Sequence, residues 1–215
     1  AAGTSLPAEV FCFGGSGGGG SQSSARITLE ADKIDVSQED NNGVTWQVIT
    51  TQLLRDFSAW YHCVVVIDTT QSTAADRVKI YINGNKVTSF STASYPSEDY
   101  SSRFGLSGTN RIGVGEASGS PWSASYFNGY FADMYYLDGV VVSDSSSVIS
   151  EFGEFKNDIW IPKEYTGSFG TNGFHFKFDQ TGVGTASTST IGADSSGNTN
   201  HYTSSGIAAS DCAMI

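Results

Sequence analysis

The sequence predicts an all-β protein, an antiparallel β-sandwich with one short helix. The main observation is the segment 60–87, WYHCVVVIDTTQSTAADRVKIYINGNKV. Residues 60–67 are an aromatic and β-branched run without Gly or Pro, and residues 78–82 alternate between apolar and polar, the period of a half-buried strand. Asn83-Gly84 then supplies the two residues that a type I′ hairpin turn favours. This succession of strands and a tight turn is typical of one wall of a sandwich.

The composition favours the same fold class. The 215 residues include 13 Phe, 10 Tyr, 4 Trp and 25 Gly, which suits short strands joined by turns and disfavours long helices. A chain of this length can bury a sizeable core without disulfides or metals. The residues that we expect in the core are Trp60, Val64, Val66, Ile80, Ile82, Phe131 and Tyr135.

The first part of the chain is predicted to form hairpins. Residues 9–14 form a short strand that ends in a glycine-rich run. We interpret that run as a hairpin tip rather than a phosphate loop, because neither Lys-Ser/Thr nor a helical pattern follows it. Residues 26–36 alternate apolar and polar side chains, and we expect them to pair with 44–51 across the turn 39–43.

The middle of the chain continues with strands and loops. Residues 86–90 form the return strand after Asn83-Gly84, and residues 91–107 form a long polar loop. Residues 126–137 are almost continuously aromatic or apolar and are predicted to form one long strand. Residues 143–152 form the predicted helix, with Ser143 or Asp144 as its N-cap.

The pattern of the sequence changes near residue 155, from regular strand patterns to extended and turn-forming segments. We expect residues 1–154 to form the β-sandwich, and residues 155–215 to be an extended C-terminal segment that either completes the sandwich or starts a further module. Within that segment, residues 173–178 (GFHFKF) alternate as a strand. Because the first residue is not Met, we expect the chain to be a fragment of a longer protein.

Charge and cysteine content exclude several functions. The formal net charge is −11 with only 11 basic residues, so a nucleic-acid partner is not expected. No apolar stretch approaches the ~20 residues of a membrane-spanning helix, so a membrane partner is not expected either. Cys12, Cys63 and Cys212 have no C-x-x-C spacing and indicate neither a disulfide framework nor a zinc site. We expect Cys12 and Cys63 to be buried thiols in apolar strands.

Four motifs carry a family resemblance: W-Y-H-x-V-V-V, D-T-T-Q, R-V-K-I-Y-I-N-G and Y-F-N-G-Y-F-A-D. Together they resemble a laminin-G-like (concanavalin A-like) jelly roll, and more closely such domains in structural proteins of marine bacteriophages. The matching segments are 34–55, 60–90, 127–139, 152–178 and 194–203. The resemblance implies a non-catalytic virion protein of a capsid, fibre or tail, assembled in the host cytoplasm and exposed extracellularly. The implied partners are other virion subunits in a homo-oligomer and a host cell-surface glycan.

An enzyme is the alternative, since related folds include glucanases. Glycoside hydrolysis needs two carboxylates across the scissile bond, which glucanases of this type supply from E-x-D-x-E on one strand. The nearest approaches are Glu30 with Asp32, which lacks a third carboxylate, and Glu151 with Glu154 at the end of the predicted helix. We therefore expect no catalytic residues.

The resemblance also implies Ca²⁺ as the possible cofactor, because such jelly rolls often hold it through Asp and Asn oxygens. The candidate ligands are Asp68, Asp76, Asn128 and Asp133. The turn 194–198 has further oxygen donors at alternate positions. Either these side chains bind the ion, or they cap their own turns.

Aromatic residues in loops are the candidate contacts for a glycan or a partner. Trp122 lies in a Gly/Ser/Pro-rich loop, and Tyr95, Tyr100 and Tyr126 lie in or beside neighbouring loops. Exposed rings stack on sugars, and loops commonly carry function. The alternatives are that these rings cover the ends of the core or are buried against a neighbouring subunit.

Overall fold

A computed structural model of the chain describes residues 8–17, 21–40, 43–105, 109–114, 126–140 and 149–212. The chain divides into two compact units. The first unit comprises Ala1–Asn128 and Val142–Tyr165, and the second comprises Gly129–Val141 and Thr166–Ile215. The predicted division into 1–154 and 155–215 stays a prediction.

The described residues form strands and two 3₁₀ turns, at Ala74–Asp76 and Ala209–Asp211. The strands are β1 (Ala8–Gly17), β2 (Ser21–Glu30), β3 (Lys33–Asp40), β4 (Gly43–Thr50), β5 (Cys63–Ile67), β6 (Val78–Ile82), β7 (Asn85–Lys86), β8 (Phe90–Ser94), β9 (Thr109–Ile112), β10 (Met134–Tyr136), β11 (Gly153–Lys156), β12 (Ile159–Pro162) and β13 (Phe174–Phe176).

The first unit is an antiparallel β-sandwich, as predicted. A six-stranded sheet has the order β8-β4-β3-β2-β1-β9, and a three-stranded sheet has the order β5-β6-β7. One hydrophobic core joins them, with side chains from β3 and β4 in the first sheet and from β6 in the second. Its buried members are Ile34, Val36, Trp46, Val48, Leu54, Val78, Ile80, Ile82 and Val87.

Three two-residue turns with positive φ close hairpins in this unit. Asn83-Gly84 joins β6 to β7, with φ of 47° and 79°, which confirms the predicted turn. Ala31-Asp32 joins β2 to β3 and Asn157-Asp158 joins β11 to β12, also with positive φ at both positions. The predicted single strand 26–36 is therefore wrong, because it is a hairpin that reverses at residues 31 and 32.

The predicted core is only partly correct. Ile80 and Ile82 are buried, but Trp60 is 55% exposed and lies before the start of β5. Strand β6 is buried on both faces rather than one, since Lys79 and Tyr81 are buried as well. The four other predicted core residues, Val64, Val66, Phe131 and Tyr135, are half-buried.

Several predicted elements differ from the structure. Within 126–137 only β10 is a strand, and within 91–107 residues 91–94 belong to β8. The predicted helix 143–152 lies largely outside the described residues, and its described end, 149–152, is coil and turn. Cys12 is buried as expected, whereas Cys63 is exposed, because it begins an edge strand of the three-stranded sheet.

The second unit is built on β10 paired antiparallel with β13. Phe174 and Phe176 of β13 are buried, and both rings contact Tyr202. His175, between them, stacks on the ring of Tyr135 with centroids 4.1 Å apart. An aromatic cluster thus supplies the interior of this small unit.

Candidate functional site

In the first unit, the segment 55–61, called here the aromatic loop, carries two large exposed rings. The side chain of Phe57 is 88% exposed and that of Trp60 is 55% exposed. Phe57 buries almost none of its ring on folding and Trp60 only about half, so both rings contribute less to the stability of the free chain than core rings do. Two large exposed rings within one short loop make this loop a candidate contact surface.

The backbone of the aromatic loop is held by its own polar groups. The carboxylate of Asp56 accepts hydrogen bonds from the N–H (3.0 Å) and the hydroxyl (2.6 Å) of Ser58. The hydroxyl bond is the main cause of the lowered pKa of Asp56. The N–H of Asp56 donates to the hydroxyl of Tyr61. This Asx turn fixes the loop without using either exposed ring.

Both ends of the aromatic loop are anchored in the sandwich. Leu54, just before it, is a core residue, and its N–H donates to the carbonyl of Asp32 at 2.7 Å. Tyr61, at its end, packs against the same core. The loop is therefore a rigid support from which Phe57 and Trp60 project.

Sequence reasoning missed these two rings. Trp60 precedes a run of strand formers, and the apolar pattern extended that strand over it. Phe57 stands between Asp56 and Ser58, and the Asp-x-Ser spacing of an Asx turn was the signal that could have placed it at a loop tip.

The predicted contact residues lie in different environments. Trp122 lies outside the described residues. Tyr126 is 63% exposed and forms an isolated bridge with Val114. Tyr95 and Tyr100 are half-buried and pack against the hydrophobic core. Their role in binding a glycan or a partner stays a prediction.

Tyr100 has a defined structural role in addition. Its hydroxyl accepts a 2.6 Å hydrogen bond from the amide of Gln38 and donates to the carboxylate of Asp40 at 3.2 Å. Burial and the nearby Asp40 raise the pKa of Tyr100. The ring thereby covers the edge of the core, which is the alternative that the sequence left open.

Three of the four proposed calcium ligands, Asp68, Asp76 and Asp133, lie against other groups of the protein. The carboxylate of Asp68 accepts from the hydroxyl and N–H of Thr70 and from the amide of Gln71, and these bonds lower its pKa. Asp76 lies 3.9 Å from the ammonium of Lys86. Asn128 is exposed, and it is the last residue of 1–128, the first of the two segments that form the first unit.

Asp133 belongs to the second unit, where its Oδ1 lies 3.1 Å from Nε2 of His175. Among the residues that the structure describes, no three His, Cys, Asp or Glu side chains form a group that could hold a metal ion. The calcium site stays a prediction.

The turn 194–198 is a hydrogen-bonded hub. Both carboxylate oxygens of Asp194 accept hydrogen bonds, from the N–H groups of His175, Ser196 and Asn200 and from the hydroxyl of Ser196, all at 2.8–2.9 Å. Burial alone would raise the pKa of Asp194, but these bonds hold it below its ordinary value. The oxygens are therefore committed to the protein's own backbone.

The carboxylates considered for catalysis occupy turns and strand ends. Glu30 is the last residue of β2, and Asp32 lies in the turn that follows. Glu154, in β11, pairs with Lys156 at 2.8 Å. Glu151 has one oxygen, Oε2, that is buried without a hydrogen-bond partner in the part of the chain that the structure describes.

Comparison with known families gives a match that covers most of the first unit. A laminin G family model, described as the concanavalin A-like lectin/glucanases superfamily, matches residues 4–144. The match supports the predicted jelly-roll resemblance. The closer resemblance to bacteriophage structural proteins stays a prediction. No curated protein and no solved structure shows a significant match. The described residues contain no helix long and apolar enough to cross a membrane.

Proposed function

Since the chain belongs to the concanavalin A-like lectin/glucanases superfamily, we propose that it is a non-catalytic carbohydrate-binding module of an adhesion protein. The fold of this superfamily fits carbohydrate binding in general. The observation that supports binding by this chain is the aromatic loop, in which Phe57 and Trp60 are exposed on a fixed backbone.

The chemistry of the two rings suits a sugar. The faces of sugar rings carry C–H groups that stack on aromatic rings, and flanking polar groups bond the hydroxyls. Because the Asx turn and the core anchors hold the loop, little conformational entropy is lost when a ligand binds. The net charge of −11 favours a neutral or cationic ligand over a polyanion.

The setting that we propose is a bacteriophage particle. The module would be displayed in repeated copies, with neighbouring virion subunits as its assembly partners and a host surface glycan as its ligand. The four sequence motifs described above support this setting. Many copies on one particle would turn weak single-site binding into strong attachment.

Affinity electrophoresis in gels that contain soluble β-glucan or a bacterial surface polysaccharide tests the function. We expect the wild-type chain to be retarded. We expect Trp60→Ala to weaken the retention by about tenfold or more, equivalent to about 1.4 kcal/mol. Tyr130→Ala is the matched control, because Tyr130 is 72% exposed but lies in the second unit. Equal retention of wild type and Trp60→Ala would reject the aromatic loop as the binding surface.

Two further variants separate the alternatives. Trp122→Ala examines the loop that the sequence predicted as the contact. A glycoside hydrolase would instead release reducing sugar from the same polymers, and Glu30→Gln would abolish that release. Such a result would replace the binding function with catalysis.

A further inference from the structure

The second unit contains an open groove of about 890 Å³. Residues 166–171 line it together with Ser196 and Asn198. The groove lies beyond residue 144, where the family match ends, so the family does not account for it.

The groove is built on a backbone that the protein itself fixes. The side-chain amide of Asn198 donates to the carbonyls of Gly170 (2.6 Å) and Gly173 (2.9 Å). The amide of Asn200 also donates to the carbonyl of Gly173, at 2.9 Å. The carboxylate of Asp138 accepts hydrogen bonds from both the N–H and the side-chain amide of Asn172, the residue that follows Thr171. The shape of the groove thus exists without a ligand.

Close backbone packing restrains the same loop. Gly170 has φ of +72°, and a Cβ placed there would lie 1.8 Å from the carbonyl oxygen of Asp138, so only glycine fits. The carbonyl of Phe169 accepts a hydrogen bond from the N–H of Asp138 at 2.9 Å. The ring of Phe169 lies parallel to that of His175, within 8°. A restrained loop of this kind binds with a small entropy cost.

The lining is neutral, polar and partly aromatic. Thr166 and Thr171 are exposed, and in the part of the chain that the structure describes neither hydroxyl bonds another protein group. Phe169 adds an apolar side chain to the lining, and no charged side chain lines the groove. Free hydroxyls next to an aromatic ring match a neutral, hydroxyl-rich ring, and the lack of charge disfavours a phosphate, carboxylate or metal ligand.

We propose that this groove is a second carbohydrate site, which binds one neutral sugar residue through Thr166, Thr171 and Phe169. The inference shares its ligand class with the proposed function but uses other residues in the other unit. A chain with two such sites could engage one polysaccharide at two points.

Two-dimensional NMR of the full chain tests the proposal, with D-glucose, D-galactose, D-mannose and N-acetyl-D-glucosamine as probes. At least one sugar should shift the amide signals of residues 166–171 and 196–198, with a dissociation constant on the order of millimolar. The double variant Thr166→Val, Thr171→Val keeps the shape of both side chains and should weaken this binding by about tenfold. Thr185→Val, at an exposed threonine away from the groove, should bind as the wild type does.

The outcomes distinguish this proposal from the function assigned to the aromatic loop. Trp60→Ala should leave the groove shifts unchanged even where it abolishes retention by the polymer. If no sugar shifts the groove amides, or if the double variant binds as tightly as wild type, the groove is not a sugar site. Retention of the wild type in polymer gels would then still stand on the aromatic loop alone.

Discussion

The indole N–H of Trp160 donates a hydrogen bond to Nδ1 of His62, with 3.1 Å between the nitrogens. Trp160 lies in β12, and His62 immediately precedes β5. Because Nδ1 accepts this hydrogen bond, His62 is neutral in the folded chain and carries its proton on Nε2. Burial lowers the pKa of His62, which favours the same neutral form.

The His62 pairing predicts a loss of stability in mild acid. Its folded-state pKa is lowered, so its contribution to the free energy of unfolding is fully present above the ordinary value of 6.5 and is lost as the pH falls through the folded-state value. His62→Gln keeps an acceptor for Trp160 but does not titrate. The urea midpoint should therefore decrease more between about pH 7.5 and about pH 5 for wild type than for His62→Gln. Equal decreases would contradict the assignment.

Trp160 also predicts an unusually costly glycine substitution. A Cβ on Gly84 would lie 2.2 Å from Cε3 of Trp160. Gly139 has a similar φ, +64° against +79°, but has nothing within 4 Å of such a Cβ. Gly139→Ala should cost about 1 kcal/mol for its backbone conformation alone. Gly84→Ala should cost about 1–3 kcal/mol more, because the indole must move. Urea denaturation measures both when amide NMR signals of the unit that carries each substitution are followed. Equal costs would mean that the indole moves aside at no cost.

Local signals in the sequence were sufficient for part of the fold. Asn83-Gly84 identifies its turn because both residues tolerate positive φ at low cost. Strands β5 and β6, which precede this turn in the chain, followed from their β-branched runs. These elements are determined by residues close together in the sequence, so local composition and the periodicity of apolar residues predicted them.

Other elements depend on tertiary contacts. Ala31-Asp32 forms a turn although alanine carries no turn signal, because β2 and β3 are held on both sides by β1 and β4. Lys79 is buried in β6 against the expectation for a charged residue. An alternating pattern predicts that one face of a strand is buried. It does not show whether another element also covers the opposite face.

The exposure of tryptophans gives a direct test of the corrected core. Trp46 is 1% exposed in the sandwich core, whereas Trp60 is 55% exposed. Trp46→Ala should therefore destabilise the chain by about 3–5 kcal/mol. Trp60→Ala should change stability by about 1 kcal/mol or less. Urea denaturation of the two variants measures these costs. A large loss of stability in Trp60→Ala would show that Trp60 belongs to the core after all.

The candidate sites were less predictable than the fold. Sequence singled out Asp194, Ser196 and Asn198 as oxygen donors at alternate positions, and the structure brings them together. Their bonds go to backbone groups of this chain, however, because the turn packs on the loop that precedes β13. The same spacing suits a cation or a backbone hub, and only the fold decides which groups lie within reach.

Asp194 gives the sharpest prediction for the second unit. An amide keeps one acceptor oxygen and turns an N–H₂ group toward either two N–H donors or the N–H of Asn200 and the hydroxyl of Ser196, which can accept, so Asp194→Asn should lose one or two of the four hydrogen bonds. We expect a cost of about 2–4 kcal/mol, against about 0.5 kcal/mol or less for the exposed control Asp179→Asn. Because the four tryptophans all lie in the first unit, amide signals of the second unit, followed by NMR in urea, are the suitable measurement.

Acid supplies a second, independent measurement of the same carboxylate. The pKa of Asp194 is lowered in the folded chain, so its contribution is fully present above the ordinary value of 3.8 and is lost as the pH falls through the folded-state value. Asp194→Asn has no such contribution to lose. Between about pH 5 and about pH 2, the second unit of wild type should therefore lose more stability than that of the variant. If both lose the same amount, the carboxylate is not held ionised by its four donors, and the hub is stabilised by shape rather than by charge.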